Sequence, residues 1–186
     1  MSDTEAVVST IVSDNYDAGV QCAKDMMKKK TSANIIIVNQ KALNSINERV
    51  KGFRDTIKGH PQYKIVEEKE SAAEFEIAMK VMEKIIYEKK NYDVVMGGND
   101  PIALGCIAAM QMTDKTDQVM VYGVDGSPDG KAMIKAGFLE GTAAQSPIKI
   151  GEKAVQTAYS YLAGETVKKH VTIPVELITA DNLKFY

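Results

Sequence analysis

Two hydrophobic rhythms alternate along the chain. Val7–Val12 reads as a strand, and DNYDAGVQCAKDMMKKK (14–30) as a helix with Asp14 or Asn15 near its cap. NIIIVNQ (34–40) is a continuous apolar run, the pattern of a strand buried on both faces. Asn44–Lys58 carries Ile46, Val50, Phe53 and Ile57 on one helical stripe, and Tyr63–Glu67 is a third strand. Ser71 is placed to cap a helix over Ala72–Lys89, in which Phe75, Met79, Met82 and Ile86 keep helical spacing. Asp93–Met96 predicts a fourth strand, Pro101–Met112 a helix and Gln118–Val124 a fifth strand. A short helix starts at Ser127-Pro128 and ends near Gly137, followed by a short strand over Leu139–Ala144. Ile148–Leu162 is helical and stops at Gly164; HVTIPVELIT (170–179) is extended, with Pro174 putting it at an edge or a crossing.

Five strand–helix units in a row predict an α/β fold, a parallel sheet covered by helices on both faces. Periodicity does not give the order of the strands. In such sheets ligands bind beyond the carboxyl ends of the strands. Several of those ends carry polar residues: Ser13 and Asn15, Asn39 and Gln40, Asn99 and Asp100, Asp125, and Gln145. One polar residue at a strand end is a turn; a ring of them suggests a polar ligand.

Composition narrows the function classes. With 186 residues, 45% of them hydrophobic, the chain can bury a core of one domain or slightly more. A formal charge of −2 argues against a nucleic-acid surface, and Lys28-Lys29-Lys30 reads as a solvated helix end. No stretch approaches the roughly 20 apolar residues of a membrane span. MSDTEAVV lacks the basic start and apolar core of a signal peptide, which leaves a cytoplasmic chain or a mature or truncated piece of an exported one. Cys22 and Cys106 sit in apolar helical surroundings and are expected as buried free thiols; His60 and His170 stand far apart, so no metal site is predicted.

Catalytic and cofactor motifs do not fit. A dinucleotide turn after the first strand would need more than the single Gly19 of SDNYDAG. GSPDGKA (126–132) has one residue too few between its glycines for a phosphate loop, and Ala132 stands where Ser or Thr is required. There is no GxSxG elbow, and two remote histidines suggest no Ser–His–Asp set. A receiver domain would place a phosphoacceptor Asp after the third strand, where this chain has KIVEEKE. No enzyme activity and no cofactor are therefore expected.

Six pieces in one order carry a resemblance: SDNYDAG (13–19), RVKGF (49–53), GGNDPIALG (97–105), VYGVDGSPDG (121–130), GTAAQSP (141–147) and the closing IPVELITADN. Together they resemble sugar-binding periplasmic proteins of the ribose/galactose type, the type I periplasmic binding proteins, whose fold also serves sugar-responsive repressors. The similarity runs from about Val7 to Asn182. It implies a flavodoxin-like lobe, one half of a clamshell that closes on its ligand. The chain corresponds to the carboxy-terminal lobe, and about a hundred residues of amino-terminal lobe, a small domain's worth, would precede it. The expected division is a ligand-binding lobe over 1–146, a segment returning to the absent lobe over 147–174, and a closing strand and tail over 175–186.

The resemblance also implies site residues. Arg49, in the R-x-x-G-F pattern, would hydrogen-bond sugar hydroxyls with its planar fork of donors; without the pattern a surface helix arginine is an equal reading. Asn99 would supply a donor and an acceptor, with Asp100 placed to cap the helix that begins at Pro101. Asp125 would accept from two hydroxyls, although a strand–Asp–Gly sequence is also an ordinary cap or turn. Gln145 would act at the hinge. Phe75 would pack on the apolar face of the sugar or belong to the core of its helix. Ser13, with Asn15, lies at the crossing, as hinge residue or ligand contact.

The function implied is carbohydrate binding, of a sugar or polyol, as half of a receptor for ABC-type uptake or chemosensing. Its partners would be a membrane permease and the absent lobe, and the parent protein would be periplasmic or at the cell surface. The alternative is the effector lobe of a sugar-responsive transcriptional repressor, to which VELITADNL is less similar. Without a second lobe, the apolar face of 148–162 (Ile150, Val155, Ala158, Tyr159, Leu162) is expected to self-associate or repack.

Overall fold

A computed structural model describes residues 6–113 and 119–186. The elements are β1 (Thr10–Ser13), α1 (Asn15–Lys29), β2 (Ala33–Asn39), α2 (Asn44–Ile57), β3 (Tyr63–Glu70), α3 (Phe75–Tyr87), β4 (Val94–Gly97) and α4 (Asp100–Gln111). There follow β5 (Met120–Asp125), α5 (Pro128–Lys135), β6 (Gly141–Ala144), α6 (Pro147–Leu162), β7 (His170–Ile173) and β8 (Glu176–Thr179). The expected start of the fifth strand at Gln118 lies outside the described residues.

A six-stranded sheet runs in the order β3-β2-β4-β5-β6-β8. Its first five strands are parallel, and counted from β2 they take the flavodoxin-like order 2-1-3-4-5. Helices α1 and α2 pack together on one face, α3 and α4 on the other. In β2, Ile35, Ile36, Ile37 and Val38 are fully buried, as a strand covered on both sides requires. Each contributes about 2 kcal/mol by leaving water. The α2 stripe Ile46, Val50, Phe53 and Ile57 is buried as its spacing predicts.

One expectation about pairing fails, and the expected edge or crossing at Pro174 is found. β1 is not part of the main sheet; it pairs in parallel with β7, Thr10 opposite His170 and Ser13 opposite Ile173. The extended tail splits at Pro174: β7 joins β1, while β8 lies antiparallel along β6 at the edge of the main sheet. Proline there ends one ladder, since it has no N–H to donate, and the chain turns to the other.

Ser71 does not cap α3. The β2–β3 ladder continues to Asn39 opposite Glu70, and the Ser71 N–H donates to the Asn39 carbonyl (2.8 Å). The chain then turns through Ala73 at φ 58°, and α3 begins at Phe75 without a side-chain cap. Cys22 and Cys106 are fully buried and unpaired; burial pushes the Cys106 thiol up to about 12. Among the described residues no helix is long and apolar enough to cross a membrane, and no His/Cys/Asp/Glu cluster could hold a metal.

Candidate functional site

The carboxyl ends of the parallel strands converge on a closed ring of polar side chains. Asp14 caps α1 by accepting from the Asp17 N–H (3.0 Å), which puts Ser13 at the end of β1 and Asn15 at the first turn of the helix. Asn15 Nδ2 donates to the Ser13 carbonyl (3.2 Å). Across from it, Arg49 on α2 is only 4% exposed, so it is not a surface helix arginine. Its Nε donates to Asn15 Oδ1 (2.9 Å), and its Nη1 donates to the Gly98 carbonyl (2.9 Å) and lies 3.4 Å from Asp125 Oδ1. Gln145 closes the ring: its Nε2 donates to Asp125 Oδ1 (2.7 Å), and its Oε1 accepts from the Ser13 hydroxyl (2.6 Å). Ser13, Arg49, Asp125 and Gln145 are thus brought together, with Asn15 as a fifth member.

Asp125 ends β5 at φ 139°, a backbone region that L-residues other than glycine seldom occupy. Such strain persists where surrounding contacts enforce it, and it concentrates at functional positions. Burial raises the pKa of its carboxyl; the Arg49 charge pulls it back, and Asp100 adds to the rise. Burial likewise lowers the Arg49 guanidinium, with Asp125 and then Asp100 holding it up. The Arg49–Asp125 separation exceeds the 2.7–2.9 Å of a tight charged hydrogen bond, at which about twice the strength of a neutral bond is realised. Both Oδ1 partners, Arg49 and Gln145, lie on one oxygen, and the Asp125 side chain keeps 31% of its surface exposed.

Asn99, rather than Asp100, caps α4: its Oδ1 accepts from the Ile102 N–H (3.0 Å). Asp100 is instead turned inward and fully buried, where its carboxylate takes the Ser127 N–H (2.8 Å) and the Thr142 hydroxyl (2.6 Å). Either residue could cap from sequence, because both carry a short side-chain oxygen. Phe75 does not join the ring. It is 38% exposed and lines a groove with Leu104, Ile107 and Met133. Asn39 turns to β3, donating to Glu68 (2.6 Å). Sequence reasoning missed Thr142 and the inward turn of Asp100; the one available signal was a hydroxyl inside the small-residue strand GTAA.

A carboxylate with free lone pairs, a guanidinium and a primary amide at one strand-end rim are suited to hydroxyl groups, which both donate and accept. A family model described as a periplasmic binding protein domain matches residues 2–166. The ribose import binding protein of Salmonella typhimurium is 31% identical over 175 residues, covering 92% of this chain and 58% of that protein. A solute-binding protein of Bacillus halodurans solved with myo-inositol superposes with a TM-score of 0.91 at 26% identity, over 99% of this chain and 64% of that one. The Caulobacter myo-inositol binding protein does so at 0.85 and 28%, over 93% and 60%. The chain therefore spans less than two thirds of the length of these relatives, and within that span, by sequence, strand order and strand-end chemistry together, it belongs to the periplasmic binding protein family.

Proposed function

We infer that the chain is the carboxy-terminal, ligand-binding half of a non-enzymatic solute receptor for a small neutral sugar or polyol. The observation that supports this best is the Arg49–Asp125–Gln145 cluster at the carboxyl ends of the parallel strands. Ser13 and Asn99 flank it as further hydroxyl partners, and Phe75 offers an apolar face. The receptor serves ABC-type uptake or chemosensing through a membrane permease, with the parent protein in the periplasm or at the cell surface. Relatives named for ribose import and allose binding favour this over a repressor's effector lobe. The lobe runs over 1–146, the segment 147–174 returns to an amino-terminal lobe, and 175–186 closes the sheet. In favour of a returning segment, β7 lies outside the main sheet and no α6 residue is buried; β1, which pairs with β7 and lies against α6, goes with that segment rather than with the lobe.

The test is calorimetric titration of ribose, allose and myo-inositol against this chain and against one lengthened to the span of its relatives. Tight binding by the lengthened chain is expected, and Asp125→Ala should weaken it about 10- to 100-fold, the worth of a hydrogen bond to a charged acceptor. Affinity unchanged by that substitution would remove Asp125 from the site. A hydroxyl donates to the ionised carboxylate, so affinity should be full above the Asp125 pKa and fall as pH drops through it. Because burial raises that pKa, the loss sets in at higher pH than an ordinary aspartate would give. Stability runs the other way: the folded chain holds this proton more tightly than the unfolded one. Asp125 therefore favours folding most at low pH, and this contribution declines as pH rises through the unfolded and then the folded value.

On α6, Ile148, Val155, Tyr159 and Leu162 are exposed. In the parent protein the additional length of the relatives covers this face; in the isolated chain a second copy does. Sedimentation at high concentration should show a dimer that Tyr159→Glu with Leu162→Glu disperses. A monomer whose amides over 148–162 are nevertheless protected from exchange would count against self-association.

A further inference from the structure

Asp100 is fully buried, sits at the first position of α4 and has no ion-pair partner among the described residues. A buried carboxylate costs several kcal/mol unless its surroundings compensate it, so a helix end that needed only polarity would be better served by an amide. Its compensation is specific. Asp100 Oδ2 accepts from the Ser127 N–H (2.8 Å) and Oδ1 from the Thr142 hydroxyl (2.6 Å), and Thr142 Oγ1 in turn accepts from the Gly126 N–H (3.0 Å). Two of these bonds end on the turn that follows Asp125, at Gly126 and Ser127, and the third ties Thr142 to Asp100. Space for the carboxylate is made on two sides: a Cβ on Gly123 would stand 2.4 Å from Oδ1, and one on Gly130 2.6 Å from Oδ2.

We propose that Asp100, acting with Thr142, is the positioning residue of the binding site. It holds the 125–127 turn in the strained conformation that aims the Asp125 carboxylate at Arg49 and Gln145. The inference rests on the reading of Asp125 as the hydroxyl acceptor. Asp100 holds Ser127, two positions after Asp125, directly, and holds Gly126, the next residue, through Thr142; Asp125 is the non-glycine residue of that turn whose φ is positive. The negative charge of Asp100 also contributes to the raised Asp125 pKa, so the two carboxylates communicate electrostatically as well as through the backbone. Among the described residues, Arg49 faces both carboxylates, and the buried Cys22 thiol faces Asp100 and Arg49.

The test compares Asp100→Asn, Thr142→Val and Thr142→Ser in the 186-residue chain and in its lengthened form. In the short chain, amide exchange at Gly126 and Ser127 and the carboxyl titration of Asp125 are followed by NMR. Thr142→Val should speed exchange at Gly126 about tenfold, and Thr142→Ser should restore it, as expected for one hydrogen bond. Asp100→Asn should speed exchange at Ser127 and lower the Asp125 titration midpoint, which a role in packing alone would not move. In the lengthened form both Asp100→Asn and Thr142→Val should weaken sugar binding about tenfold. Wild-type exchange, midpoint and affinity in both variants would overturn the proposal, and Thr142→Val decides it if Asp100→Asn does not fold. Failure of the unmodified lengthened chain to bind any sugar would overturn the functional reading, while the exchange and titration results would still decide whether Asp100 positions Asp125.

Discussion

Arg49→Met should lower the unfolding free energy by about 2–4 kcal/mol, seen as a shift of the urea midpoint at unchanged slope. Methionine fills much of the same volume, so the loss is one of charge and donors rather than of packing. Asn15 Oδ1 and the Gly98 carbonyl lose their Arg49 hydrogen bonds, and Asp125 Oδ1 loses its countercharge while keeping the Gln145 donor. Removing one partner of a fully buried pair costs about 3–5 kcal/mol, and the partial exposure of Asp125 reduces that figure. Without the guanidinium the Asp125 carboxyl should titrate higher still, so the penalty should shrink in acid, where that carboxyl becomes neutral. Arg49→Lys should recover only part of the loss, because one ammonium cannot reach partners spread around a planar fork. A midpoint equal to wild type in Arg49→Met would mean that the ring contributes nothing to the fold.

A still larger effect is expected from Gly19→Ala. Helices α1 and α2 cross where Gly19 faces the Arg49 carbonyl and Gly52 faces that of Tyr16. A Cβ on Gly19 would stand 1.8 Å from the Arg49 oxygen, and one on Gly52 2.0 Å from the Tyr16 oxygen. Backbone cannot yield as a side-chain tip does, so the helices must part by more than 1 Å, and Arg49 is carried away from Asn15. We expect a loss of about 3–5 kcal/mol, against which the roughly 1 kcal/mol that alanine adds to helix propensity is small. Gly151→Ala on α6 is the control, since no atom lies within 4 Å of its added Cβ. There the propensity term stands alone, and a gain of about 0.5–1 kcal/mol in thermal or urea unfolding should appear. Destabilisation of similar size at both positions would show that helix crossing is not what Gly19 permits.

Much of this architecture was legible in the sequence because burial imposes periodicity. The run Ile35–Val38 and the α2 stripe announced themselves, and both are buried. Strand pairing left no such trace. Nothing in TIVS distinguishes a strand of the main sheet from one whose partner lies near the other end of the chain. The α3 stripe was legible only in part: Met82 is fully buried, while Phe75, at the uncapped first position of the helix, is exposed. At the site, residue types could be picked out by resemblance, but their division of labour could not. Asn99 and Asp100 are interchangeable as caps in one dimension; only the inward direction of the chain at α4 makes one a cap and the other a buried charge. The glycines of SDNYDAG and RVKGF were visible as motif letters, and the approach each permits, Gly19 to the Arg49 carbonyl and Gly52 to that of Tyr16, needed the third dimension.

The pairing of β1 with β7 has a consequence for the order in which the molecule is assembled. The parallel units from β2 to β6 are built from neighbours in sequence and can condense as the chain is made. β1 must wait for a strand synthesised some 160 residues later, and the edge of β6 stays open until β8 arrives. Contacts of such sequence separation are slow to close and leave strand edges unguarded meanwhile. The segment 170–186 thus acts as the bolt of the fold: a chain stalled or clipped before it would carry α1–α6 and the central strands, yet expose unpaired strands ready to pair with another copy.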